Sequence, residues 1–190
     1  MNFNDLHWKY YQSFEYDLNR LSRYIEINQD NFSTYSVELT RLYLSSCAEI
    51  DTVMKEICYQ LSPNAKSDNI MDYMKVIESN LHAFITETAV IERFSISCTP
   101  WKAWQEQISP SWWKSHTDVK HNRNKHFTKA NLKNVIDSIC ALYIANVYLR
   151  YAHLKSNDSG MVYSLSDAIT SLPRDLDLIR IDCRFSYFSD

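Results

Sequence analysis

Thr128–Leu154, TKANLKNVIDSICALYIANVYLRYAHL, decides the fold. Leu132, Val135, Ile136, Ile139, Leu142, Tyr143 and Val147 recur at the three-and-four spacing of a helix and give it a broad apolar face. A helix of that kind belongs in the core of a helical bundle.

Upstream, the same period returns. Tyr11, Phe14, Leu18, Leu21 and Ile25 predict a helix from Asp5 to about Ile27, with Asn4 as its cap and Asn28–Asn31 as a polar break. A second helix starts near Ser33 or Thr34 and carries Leu39, Leu42, Tyr43, Ser46, Ile50, Val53, Ile57 and Leu61 inward until Pro63 stops it. These two are long enough to form the antiparallel pair that founds a bundle. A third follows Asn69, with Ile70, Met74, Ile77 and Leu81 inside. Phe94, Ile96 and Cys98 alternate with serines, a short extended pattern. Thr99-Pro100 and Pro110 each open a further helical turn. Beyond Lys155–Gly160, read as a linker or turn, Ile179, Ile181, Cys183, Phe185 and Tyr187 alternate with polar residues and predict a terminal strand. Its partner is either the Phe94–Cys98 segment or a second copy of the chain. The expected fold is therefore all-α, an up-and-down helical bundle over residues 1–155, with an extension at 156–190 that holds a short strand.

Composition narrows the chemistry. The chain has 190 residues, one glycine and five cysteines. Loops that cradle phosphates or dinucleotides need several glycines, so Gly160 alone argues against nucleotide-driven chemistry of that type, and no cofactor is expected. No two cysteines have the close spacing of a zinc knuckle or redox dithiol; they read as small buried hydrophobes in a reducing cytoplasm. The opening MNFNDLHWKYYQSFEYD has no apolar core of a signal peptide, and no apolar run is long enough to span a membrane. A cytoplasmic chain is the expectation.

The functional signal lies in Ser109–Asn134, SPSWWKSHTDVKHNRNKHFTKANLKN. Lys114, Lys120, Arg123, Lys125, Lys129 and Lys133 face one acid there, Asp118, in a chain of formal charge −3. A polyanion is the natural ligand for such a segment. If Trp112–His126 is a single helix, His116, Val119, Arg123 and His126 share a side, with Lys120 and Asn124 beside them and His121 and Lys125 turned away. A guanidinium grips phosphate oxygens in a fork, and an imidazole takes or gives a proton near neutrality. The plainer reading is a surface helix with solvated basic side chains. Metal binding ranks lower, because His116, His121 and His126 fan around the helix rather than cluster. Trp101, Trp104, Trp112 and Trp113 either stack on bases or, as is commoner, close one end of the core. Glu38 and Glu49 share a face of the second helix, and either answer Arg123 or Lys120 or face solvent.

Two stretches, Tyr35–Cys58 and Ser109–Leu149, carry a resemblance. The paired tryptophans, V-K-H-x-R, the phenylalanine and the A-N-L-x-N-V helix resemble prokaryotic proteins related to the HEPN superfamily (higher eukaryotes and prokaryotes nucleotide-binding). That resemblance implies an all-α bundle, usually a homodimer. It also implies RNA or nucleotide as ligand and an antitoxin or other protein as partner. Many members are metal-independent endoribonucleases of toxin–antitoxin or phage-defence systems; others are non-catalytic RNA-binding, nucleotide-binding or protein-interaction modules. The family signature is an arginine, a polar residue, then a histidine several positions on. Arg123 and Asn124 match it, His126 comes closer to the arginine than in the family, and His121 precedes it. The implied catalytic set is Arg123 with His126 or His121; Lys120, Asn124, His116 and Lys125, basic or polar residues of the same segment, are the expected substrate contacts.

Overall fold

The computed structural model describes residues 5–157 and 161–182. Among the described residues ten elements other than short 3-10 turns follow in chain order: α1 (Leu6–Leu21), α2 (Val37–Leu61), α3 (Ile70–Asn80), β1 (Ala89–Ile91), β2 (Ile96–Cys98), α4 (Ser111–His121), α5 (Arg123–His126), α6 (Leu132–Asn157), α7 (Leu165–Ser171) and β3 (Arg180–Ile181). The protein is predominantly helical, as expected. The all-α expectation needs one amendment, a three-stranded sheet in the order β2-β1-β3.

α6 is the axis of the core. Every residue from Val135 to Leu149 is buried, which is why its apolar face reads as broad rather than as a stripe. By length and composition α6 resembles a membrane span, yet 89% of its apolar window is buried inside the protein. α2 lies along it. Both start at the same end, where Tyr35 and Asn131 form an isolated antiparallel bridge and the Leu132 amide donates to the Thr34 carbonyl at 2.9 Å. α1 runs the other way along α2, since His7 meets Glu49 and Asp17 meets Arg41. The expected antiparallel pair is thus present. α7 packs on α6.

Caps explain the helix starts. Ser36 accepts from the Leu39 amide at 3.1 Å and opens α2 beyond the expected Ser33 or Thr34. Asn69 accepts from the amides of Met71 and Asp72 and opens α3 where the sequence places it. Asn4 lies outside the described residues. Pro110 stands just before α4, where its missing N–H costs nothing.

The tail joins the main body. β3 pairs antiparallel with β1, Ala89 opposite Ile181, on the edge away from β2. Neither expected partner for the strand is the direct one. Upstream of β3 the Glu15 carboxylate accepts from the amides of Leu178 (2.7 Å) and Ile179 (2.9 Å) and from the Tyr11 hydroxyl (3.0 Å). Burial raises the pKa of Glu15, and those hydrogen bonds oppose the rise. Cys183, Phe185, Tyr187 and the Asp158-Ser159-Gly160 part of the turn lie outside the described residues.

Trp101, Trp104 and Trp112 are core residues, the plainer of the two readings. Trp101 and Trp104 sit 4.5 Å apart by ring centroid beside Phe84, and Trp112 donates its indole N–H to the Pro100 carbonyl at 2.8 Å. Cys47, Cys58 and Cys140 are buried free thiols, and Cys98 is half-buried.

Candidate functional site

The basic segment is not one helix. α4 stops at His121, and Asn122 takes an extended φ of −145° with ψ of 70° before α5 begins. The tract His121-Asn122-Arg123-Asn124-Lys125 has no apolar side chain to bury, and asparagine competes for backbone hydrogen bonds, so helical continuation gains little there. The amides of Lys125 and His126 then bond to the Asn122 carbonyl at 3.2 and 3.1 Å.

The break separates the histidines. Trp112, His116 and Val119 follow the inward stripe of α4 and pack toward α2. His116 is 6% exposed, its ring edge-on to Tyr43 at 6.0 Å and tilted against Trp113 at 5.2 Å. Burial, helped by the nearby Lys120 and His121 charges, lowers its pKa to about 4, while Asp51 pulls the other way. The imidazole is neutral near pH 7, and its Nδ1 has no hydrogen-bond partner among the described residues. The expected shared face of His116 with Arg123 and His126 is therefore not formed.

The remaining residues, on either side of the break, are outward. Lys120, His121, Arg123, Asn124 and Lys125 are exposed, and His126 is half-buried. Arg123 and His126 stand three residues apart on α5, the spacing of helical neighbours. Among the described residues none of the side chains of His121, Arg123 and His126 makes a hydrogen bond or ion pair, so each is free for an external ligand. Among the described residues no group orients either imidazole as a catalytic base is usually oriented.

Two of the six cations are neutralised within the chain. Lys129 meets Asp118 at 2.6 Å, which ties the turn to α4 and holds that carboxyl below the usual range. Lys133 meets Asp137 at 2.5 Å. Lys114, Lys120, Arg123 and Lys125 form no ion pair among the described residues. Glu38 and Glu49 do not answer them: Glu38 is bidentate with Arg41, and Glu49 holds His7 at 2.6 Å.

A rigid support lies under the turn. The Lys133 amide donates to the Phe32 carbonyl at 3.1 Å, and the Asn134 side chain donates to the Lys129 carbonyl at 2.8 Å. Phe127, immediately after α5, meets Tyr35 edge to face at 5.5 Å between centroids. Tyr35 is 47% exposed. A single tyrosine before a serine cap carries no periodic signal, so the sequence does not single it out. An open groove of about 410 Å³ lies between Asp17, Arg20, Leu21, Tyr24 and Glu38, none of them part of the basic turn. Among the described residues no group of three His, Cys, Asp or Glu side chains is placed to hold a metal ion.

No protein-family model matches this chain, and neither does any curated protein or any solved structure.

Proposed function

We propose that this chain is a HEPN-like helical protein that binds RNA through the basic turn from Lys120 to His126, acting as a binding module. The observation that carries the reading is the set of Lys114, Lys120, Arg123 and Lys125, without acidic partners among the described residues in a protein whose formal charge is −3. Cations kept free while their neighbours Lys129 and Lys133 are neutralised are suited to phosphates. Asn124 adds a neutral donor and acceptor beside them. Homodimerisation, an antitoxin or another protein partner, and a cytoplasmic setting belong to the same proposal.

Its test is RNA affinity as a function of salt. Binding falls as salt rises, and replacing Arg123 and Lys125 together with alanine flattens the slope by about one for each phosphate contact removed. RNA binding that is indifferent to salt, or unchanged in the double variant, would overturn the reading.

A second reading, a metal-independent endoribonuclease of a prokaryotic defence or toxin–antitoxin system, is favoured by the placing of Arg123 and His126 one turn apart on α5. In it the His126 imidazole takes the ribose 2′-hydroxyl proton as that oxygen attacks the phosphorus, and Arg123 stabilises the phosphorane. A protonated histidine, His121 or a partner copy's, gives the departing 5′-oxygen its proton, leaving a cyclic phosphate and a 5′-hydroxyl. Cyclic-phosphate ends formed in EDTA and lost in His126→Ala would support it; RNA bound and left intact would remove it.

A further inference from the structure

We infer that Tyr35 and Phe127 form a stacking platform for an unpaired nucleobase whose phosphate is held by Arg123. The inference rests on the binding proposal above and narrows its ligand to a single-stranded nucleic acid. Three observations meet here.

Tyr35 is a large aromatic side chain left 47% exposed, yet its backbone is fixed. Its residue bridges to Asn131, and the neighbouring Thr34 carbonyl accepts the Leu132 amide. A fixed ring in solvent loses little freedom when a flat ligand settles on it. The edge-to-face contact with Phe127, at 83° between planes, leaves ring surface uncovered rather than sandwiched. Every base has a π-face, so such a surface accepts any unpaired base without reading its identity.

The charge stands at the right separation. Arg123 opens α5 and Phe127, four residues on, opens the 3-10 turn that follows it, with His126 (φ −118°, ψ 18°) at the joint. One turn of chain separates the two residues, about 6 Å at helical rise. A base and its own phosphate span a similar distance, so one nucleotide reaches the ring and the guanidinium together. Lys120 and Lys125 are also exposed in this segment and available to the next phosphates. A duplex keeps its bases stacked inside and offers this platform nothing but phosphate.

The test compares an oligoadenylate, an abasic oligomer of equal length and a duplex, by fluorescence anisotropy at one salt concentration. Ribose and deoxyribose versions of the single strand distinguish RNA from DNA as the source of the base. The wild type is expected to bind oligoadenylate roughly tenfold more tightly than the abasic strand. Tyr35→Leu, which keeps an apolar contact on Phe127, is expected to erase that preference, and Tyr35→Phe to keep it. Arg123→Ala is expected to weaken all three ligands. A wild-type protein with no preference for bases, or a preference that survives Tyr35→Leu, overturns the stacking platform while leaving phosphate binding in place. If the wild type binds none of the three, both readings fall.

Discussion

The hydroxyls of Ser46 on α2 and Ser138 on α6 meet at 2.8 Å, fully buried at the contact between the two longest helices. Each also lies within hydrogen-bond reach of a carbonyl in its own helix, Tyr43 for Ser46 (3.1 Å) and Val135 for Ser138 (2.9 Å). Small side chains there let the helices approach closely, and the shared bond satisfies both. Ser138→Ala is expected to cost about 1 kcal/mol in urea unfolding, because Ser46 can turn to its own helix carbonyl. The double alanine variant should cost less than the sum of the two singles. Ser46→Leu forces extra volume into the contact and should cost about 1–3 kcal/mol.

Glu15 holds the tail through two of its backbone amides. Glu15→Ala leaves the Leu178 and Ile179 amides buried without an acceptor, a penalty of about 3 kcal/mol for the pair. The segment should detach locally rather than unfold the bundle. Faster hydrogen exchange at Leu178–Ile181, with α6 amides unchanged, is the expected readout. Uniform loss of protection would show that the tail and bundle unfold together.

His116 makes the protein sensitive to acid. The fold holds this imidazole neutral with a pKa of about 4, whereas in the unfolded chain it takes its proton near 6.5. Its contribution is therefore present above pH 6.5 and lost as pH falls toward 4, roughly 3 kcal/mol in all. Thermal unfolding of His116→Leu across that window should show a shallower acid decline than wild type. An identical decline would mean that other groups set it.

His7 acts in the opposite direction. Its hydrogen bond to Glu49 raises its pKa above the ordinary value, against the effect of burial, with Glu56 adding to the rise. The pairing stabilises below pH 6.5 and is lost as pH rises through the folded-state value. His7→Asn should lower stability at pH 6 and leave it nearly unchanged at pH 9. The two histidines thus pull stability in opposite directions with pH, His116 against acid and His7 against base.

Periodicity makes the long helices legible, because α1, α2, α3 and α6 each bury a run of apolar residues long enough to repeat. It cannot place the start of α2. Ser33, Thr34 and Ser36 are all suitable caps, and the choice of Ser36 follows from backbone bonds between Phe32–Tyr35 and Asn131–Lys133, across some hundred residues of chain. β1 is not legible at all: three apolar residues are too few to alternate. At the site, the position of His116 has a signal, since Trp112 and Val119 stand four before and three after it on the inward stripe. The exposed turn from Lys120 to Lys125 is legible as basic from its residues alone. The loss of Lys129 and Lys133 to Asp118 and Asp137 depends on how α4 and α6 meet, which no local pattern encodes.

The closure of the sheet by β3 has a consequence for synthesis. The second edge of β1 is covered only by residues that leave the ribosome long after it, when α6 and α7 have already emerged. A nascent chain halted before Leu172 carries that edge bare, open to annealing with another nascent chain on the same message. Proteolysis of stalled complexes should cut near Ala89–Ile91, and the released full-length protein should resist at the same place.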